Sequence, residues 1–179
     1  FVDVAEKDYF YDAVLWGVEN GVVKGMDETH FEPETVCTRA QALTFLWRAN
    51  GMPQPKTTTN PFVDVDASAY YYDAVLWGVE NGIVKGVNTT TFAPNDQITR
   101  EQIATILFRY AKAEKVEGKL AGFPDAEKVS DYAADAMAWA VEQGLINGIS
   151  ESDGKTYLAP QETATRAQIA KILWVWLGA

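Results

Sequence analysis

Asp12-Ala-Val-Leu-Trp-Gly-Val-Glu-Asn-Gly21 recurs letter for letter at Asp73–Gly82, and Asp135-Ala-Met-Ala-Trp-Ala-Val-Glu-Gln-Gly144 is a looser third copy. Tandem copies of one supersecondary unit bury their apolar faces by stacking on neighbours, so the chain reads as three related repeats. Each opens on an aromatic-x-Asp signature: Phe1-Val-Asp3, Phe62-Val-Asp64 and Phe123-Pro-Asp125. Each later carries Thr-Arg ahead of an apolar pattern, at Thr38-Arg39, Thr99-Arg100 and Thr165-Arg166. A function carried by the repeat is therefore expected in features that occur three times.

Within the phrase, Tyr11, Val14, Leu15 and Val18 follow the i, i+3, i+4, i+7 spacing that gathers side chains on one helical face, which predicts a core stripe. The second copy keeps it as Tyr72, Val75, Leu76 and Val79, and the third thins it to Ala134, Met137, Ala138 and Val141. The helix is expected to stop at Gly21, Gly82 and Gly144, residues suited to a left-handed C-terminal position. A second glycine follows (Gly25, Gly86, Gly148), then a polar loop without strand alternation that ends at Phe31-Glu-Pro33, Phe92-Ala-Pro94 or Tyr157-Leu-Ala-Pro160. Thr38-Arg-Ala-Gln41, Thr99-Arg-Glu-Gln102 and Thr165-Arg-Ala-Gln168 are capping boxes that start a second helix. Its apolar face, for example Ala42, Phe45, Leu46 and Ala49, is expected to pack on the first helices, with Trp47, Phe108 and Trp174 in the core. The fold class is all-α, each repeat a helix–loop–helix hairpin of unequal arms. The boundaries are repeat 1 at 1–50, a linker at 51–61, repeat 2 at 62–111, a linker at 112–122 and repeat 3 at 123–179, all in one compact three-lobed body.

Composition narrows the function. The 179 residues are 47% hydrophobic, enough for a core, and the net charge of −10 argues against nucleic acid, whose binding relies on clustered Lys and Arg. No apolar run nears the roughly eighteen residues a membrane span needs, and no basic-then-apolar leader opens the sequence, so a soluble chain, or a piece of a longer protein, is expected. Cys37 has Ile98 and Ala164 as its repeat equivalents, which marks a small apolar packing slot. With His30 the one histidine, neither a metal site nor a cofactor is expected.

Three sets of residues are candidates for a site. Trp16, Trp77 and Trp139 point away from the predicted stripe, among small neighbours; packing between lobes and an aromatic platform for a sugar face are both open, with packing favoured by pattern. Arg39, Arg100 and Arg166 stand at the first position of a capped helix, where free backbone amides and the dipole favour an anion, so that a guanidinium would complete a carboxylate pocket. Simple pairing with a nearby carboxylate is the alternative, because a cation there opposes the dipole. Lys24 and Lys85 would add charge to the same pocket, and Asn147 replaces them in repeat 3. Asp3, Asp64 and Asp125 read as caps of the local turn. No nucleophile elbow, P-loop or zinc-protease motif is present, and catalysis is not expected.

In this order, the Phe-x-Asp opening, the Trp-bearing helix, Gly-Val-Val-Lys-Gly25 or Gly-Ile-Val-Lys-Gly86, Phe-x-Pro, and Thr-Arg-Ala-Gln or Thr-Arg-Glu-Gln resemble the S-layer homology domain, over the whole chain and in three copies. The resemblance implies a pseudo-threefold spindle at the bacterial cell surface, a non-catalytic module that anchors a cargo domain or S-layer lattice to the wall. It implies grooves between repeats for secondary cell-wall polysaccharide, typically pyruvylated N-acetylmannosamine. Arg39, Arg100 and Arg166 would then meet the pyruvyl carboxylate, beside Trp16, Trp77, Trp139, Gly25, Gly86 and Gly148. Pro124, Ala126, Asn147 and the longer loop of repeat 3 depart from the pattern, which implies a weak or silent groove there. A protein–protein or self-assembly module using the Trp faces is the rival reading.

Overall fold

The computed structural model describes residues 1–178. Six α-helices carry the fold: α1 (Tyr11–Glu19), α2 (Arg39–Ala49), α3 (Tyr72–Glu80), α4 (Arg100–Ala111), α5 (Ala134–Glu142) and α6 (Arg166–Leu177). The long loop of repeat 3 adds an antiparallel ribbon, β1 (Ile149–Ser150) with β2 (Thr156–Tyr157). Strands of two residues are too short to print a period-two pattern in the sequence.

Helix limits follow the local chemistry. In α2, α4 and α6 the Thr side chain accepts the third residue's backbone N–H and the Gln side chain accepts the Thr N–H, a complete capping box each time. After α1, α3 and α5, Gly21, Gly82 and Gly144 take φ of 67°, 68° and 70°, the left-handed exit that a side chain disfavours.

The chain forms two compact units, one of residues 1–98 with the stretch from Ala164 onward, the other of residues 99–163. In the first, α2 packs on α3 and α6 packs on α1; in the second, α4 packs on α5. Each second helix thus pairs with the first helix of another repeat, where a self-contained hairpin was expected. The loops dictate this shift. Carbonyls of the repeat 2 loop, Asp96 and Pro94, accept the N–H groups of Arg39 and Ala40 at 2.8 and 3.0 Å; Thr35 and Pro33 serve Arg166 and Ala167 at 2.9 and 3.0 Å. In the second unit Glu162 and Pro160 do the same for Arg100 and Glu101, at 2.8 and 3.0 Å. A first helix travels with its loop, so both dock on the second helix whose amides that loop satisfies.

Phe31, Phe92, Leu43, Leu46, Ile98, Ile169 and Leu173 fill the core of the first unit, and Ile103, Leu107, Met137 and Leu158 that of the second. Within the first unit, Cys37 N–H donates to Ala164 O at 2.9 Å, Ala164 N–H to Ile98 O at 3.0 Å, and Ile98 N–H to Cys37 O at 2.9 Å. This closed three-membered ring leaves all three side chains sealed, and burial pushes the Cys37 thiol up to about 12. The slot is a packing slot.

One stripe departs from expectation. Leu15 and Val18 of α1 are 45% and 42% exposed, and the helix buries Ala13, Val14 and Gly17. Small residues allow that close approach: a Cβ on Gly17 would lie 2.7 Å from Val23 Cγ2. In α3 and α5 the predicted stripe is covered, with Leu76 and Ala138 at 2% and 5% exposure.

Candidate functional site

Each of the three arginines reaches from the start of its helix to the loop that caps it. Arg166 is 2% exposed; its Nε donates to Phe31 O at 2.9 Å and its Nη2 to Lys24 O at 2.7 Å, while the guanidinium lies 4.7 Å from the Phe31 ring centre. Arg39, 7% exposed, repeats the arrangement with Phe92 O at 3.2 Å, Lys85 O at 3.1 Å and the Phe92 ring at 4.9 Å. In the second unit the half-buried Arg100 donates Nε to Leu158 O at 2.9 Å. Leucine there has no π face for the cation.

The expected pocket of free helix amides is absent at these positions. The first two N–H groups of each helix go to loop carbonyls and the third to the capping Thr hydroxyl, at 3.1–3.2 Å. Backbone is satisfied locally before any ligand arrives, so the guanidinium alone can attract an anion. Nor does the pairing alternative describe Arg166. Among the described residues no carboxylate lies within 4.0 Å of it, and its Nη1 makes no hydrogen bond. Among the described residues no side-chain nitrogen or oxygen is buried unpaired, so Nη1 keeps contact with solvent. Burial holds the Arg166 pKa below its ordinary value, the direction expected of a cation short of counter-charge.

The other candidates take different places. Lys24 and Lys85 have exposed side chains and contribute their carbonyls to the arginine seats. Gly25 and Gly86 are required by packing: a Cβ would lie 2.5 Å from Cε1 of Phe1 or Phe62 and collide with loop carbonyls. Gly148 has φ of +83°, and a Cβ on it would lie 2.5 Å from Thr156 Cγ2. Trp77 and Trp139 are 7% and 6% exposed, and Trp139 meets Phe108 edge to face at 5.9 Å. A sugar platform or a partner surface finds little area at these two; Trp16 is half-buried.

Asp3, Asp64 and Asp125 cap a turn far along the chain, not the local one. Asp64 accepts from Phe92 N–H and Ala93 N–H at 2.9 and 2.8 Å, Asp3 from Phe31 and Glu32 at 2.9 and 2.7 Å, and Asp125 from Leu158 and Ala159 at 2.9 Å each. Glu32, Ala93 and Ala159 have φ of 58°, 58° and 48°, so each carboxylate clamps a left-handed residue beside the arginine seat. Burial works to raise the pKa of Asp3 and Asp64, and the two amide bonds outweigh it to leave both lowered.

Sequence reading missed a fourth set: Tyr9, Tyr70 and Tyr132, equivalent and 58%, 58% and 55% exposed. Burial of the hydroxyl raises the pKa of Tyr9 and Tyr70, against smaller opposite effects of Thr165 and Thr38, the caps beside Arg166 and Arg39. The signal was present as a Tyr just ahead of each first helix. In the second unit, Tyr132 donates to Glu101 Oε1 at 3.3 Å. Glu101, 4% exposed, also accepts from Ser130 N at 3.0 Å and Ser130 Oγ at 2.7 Å, and stands where the other repeats have Ala40 and Ala167.

Comparison with known proteins decides what this repeated architecture is. The S-layer homology domain matches residues 1–43, 61–104 and 122–170. The chain belongs to the S-layer homology domain family. It is 40% identical over 164 residues to the Surface-layer 125 kDa protein of Lysinibacillus sphaericus, covering 92% of the chain and 14% of that protein. It is 32% identical to the S-layer protein sap of Bacillus anthracis, covering 97% of the chain and 20% of that protein. It is 31% identical to an amylopullulanase of Thermoanaerobacterium thermosulfurigenes, covering 86% of the chain and 8% of that protein. The chain thus spans a minor part of each relative, and the carbohydrase name reflects other domains of that enzyme. As an S-layer homology domain the chain is a cell-wall anchoring module at the cell surface. No helix among the described residues is long and apolar enough to cross a membrane.

Proposed function

We propose that the chain binds an anionic secondary cell-wall polysaccharide, with the pyruvyl carboxylate of a pyruvylated N-acetylmannosamine as the group read by the arginines. The observation that carries this reading is Arg166: a buried guanidinium held by two carbonyl oxygens, without a carboxylate partner among the described residues, and with Nη1 still open to solvent. Burial outweighs the favourable field of Glu32 at this cation, and an anion arriving at the open edge offsets part of that cost. Carbonyls and a ring on the remaining sides hold the fork in one orientation, which suits planar recognition of a carboxylate. Tyr9 and Tyr70, with exposed rings next to the capping threonines, offer ring faces to the sugar. Arg39 is assigned to the same carboxylate on the likeness of its carbonyl-and-ring seat alone, and Trp16 is the tryptophan retained as a sugar contact.

The test is co-sedimentation with intact cell walls, walls stripped of secondary polymer, and walls selectively depyruvylated. Binding lost in both treatments supports a carboxylate-dependent glycan anchor. Binding that survives depyruvylation but not stripping refutes the carboxylate as the recognised group, and binding that survives both refutes the glycan.

A further inference from the structure

Asn-Gly occurs four times, at Asn20-Gly21, Asn50-Gly51, Asn81-Gly82 and Asn147-Gly148. An asparagine followed by glycine is open to attack on its own side chain: the next backbone nitrogen can close a five-membered ring on the amide carbon, and glycine puts no side chain in its path. Three of the four pairs are restrained by helix ends. Asn20, Asn50 and Asn81 are the C-caps of α1, α2 and α3, with ψ of 6°, 13° and 7°, which turns the following nitrogen away from the side chain. That nitrogen is also held, since Gly21, Gly51 and Gly82 donate to Val18 O, Arg48 O and Val79 O at 3.1, 2.9 and 3.1 Å. Each side-chain amide is tied back as well, donating to the carbonyl of Trp16, Leu46 or Trp77 at 2.8 Å.

In repeat 3 the cap of α5 is Gln143, and the Asn-Gly pair has moved into the loop beyond it. Asn147 is exposed, and Gly148 N–H donates no hydrogen bond among the described residues. Asn147 Nδ2 keeps one longer bond, 3.3 Å to Gly144 O.

We propose that Asn147-Gly148 is a site of spontaneous deamidation, selected by the fold from four like sequences. The Gly148 nitrogen, its proton lost to solvent base, bonds to Asn147 Cγ; the Cγ–Nδ2 bond breaks, ammonia leaves and a cyclic imide remains. Water then opens the imide at either carbonyl, to aspartate or to isoaspartate. The new carboxylate stands where repeats 1 and 2 carry Lys24 and Lys85, on the loop whose Leu158 carbonyl holds Arg100. On the binding function proposed above, ageing of the chain weakens the attraction of the second unit for an anionic glycan; that consequence rests on the binding function, and the modification does not.

The experiment incubates the full chain at mildly alkaline pH and follows the amide-to-acid mass increase in tryptic fragments, which separate the four asparagines. Asn147 is expected to convert roughly tenfold faster than each of the other three, whose reaction must first open hydrogen bonds at a helix end. In guanidinium chloride the four rates should converge, and Asn147→Gln should remove the mass increase from its fragment. Conversion at Asn147 no faster than at Asn20, Asn50 and Asn81 overturns the proposal. So does an Asn147 excess that persists undiminished in guanidinium chloride, which would assign the rate to neighbouring residues and not to the fold. No glycan enters this measurement, so its outcome is independent of the binding test.

Discussion

Arg166 and Arg100 hold equivalent places in the sequence and sit in different surroundings. Arg166 is held between two carbonyls and the rings of Phe31 and Phe45, with Nη1 at the open edge, whereas Arg100 keeps one carbonyl bond among the described residues and faces Leu158. Repeat 3 differs in the residues that build its seat: Leu158 replaces a phenylalanine, Asn147 replaces a lysine, and the loop between them is lengthened by the β1–β2 ribbon. A repeated motif preserves a side chain's origin, and the loop that receives it decides its role. The same guanidinium is a lock and a candidate reader in the first unit and a looser contact in the second.

Arg166→Ala is the strongest test of that contrast. It orphans two carbonyls at roughly 1–3 kcal/mol each, so a loss of about 2–6 kcal/mol is expected in urea unfolding, against about 1–3 kcal/mol for the one carbonyl of Arg100→Ala. Equal losses would erase the distinction between the two seats.

Next come the clamps. Asp64→Asn keeps the shape but leaves one of two backbone amides poorly served, for an expected loss of about 1–2 kcal/mol. Because the folded pKa of Asp3 and Asp64 lies below its ordinary value, their contribution is full above the unfolded value of about 3.9 and is lost as pH falls through the folded one. Thermal unfolding between pH 5 and 2 should show the decline, and the Asp64→Asn chain should show a shallower one. An identical slope would mean that the amide bonds do not favour the charged form.

Helices, caps and glycine exits were legible in the sequence because each rests on chemistry within about four residues, as Thr38 with Gln41 shows. What could not be read was non-local. Asp3 looks like a local turn former, and its partners are Phe31 and Glu32. The amides of Arg39 and Ala40 look free, and they are filled by carbonyls of Asp96 and Pro94. The Leu15 stripe has a faultless core pattern, but periodicity cannot say whether a neighbour arrives to cover it. The arginines stand out in the sequence as a threefold Thr-Arg element, and what it does not print is the neighbouring loop that each of them holds.

The capping boxes are the control, since they are alike in both units. Thr38→Ala, Thr99→Ala and Thr165→Ala should each cost about 1 kcal/mol, measured by the same unfolding. A marked excess at Thr165 would show that helix starts, and not the arginine seats, set the two units apart.

The smallest expected effect concerns Glu101, the carboxylate that Arg166 and Arg39 lack as a sequence neighbour. It binds Ser130 and Tyr132, so in the second unit the tyrosine that would face a sugar is already engaged with an acid. Glu101→Gln keeps one oxygen for Ser130 N–H, removes the charge, and gives up the second acceptor that Ser130 Oγ and Tyr132 share. If Arg100 also reads carboxylate, removing the negative charge of its sequence neighbour should raise affinity for a pyruvylated saccharide, titrated calorimetrically, by roughly twofold to fourfold. The gain should shrink with added salt, because it is purely Coulombic. An unchanged titration would mean that Arg100 takes no part in binding, leaving the anchor to Arg39 and Arg166.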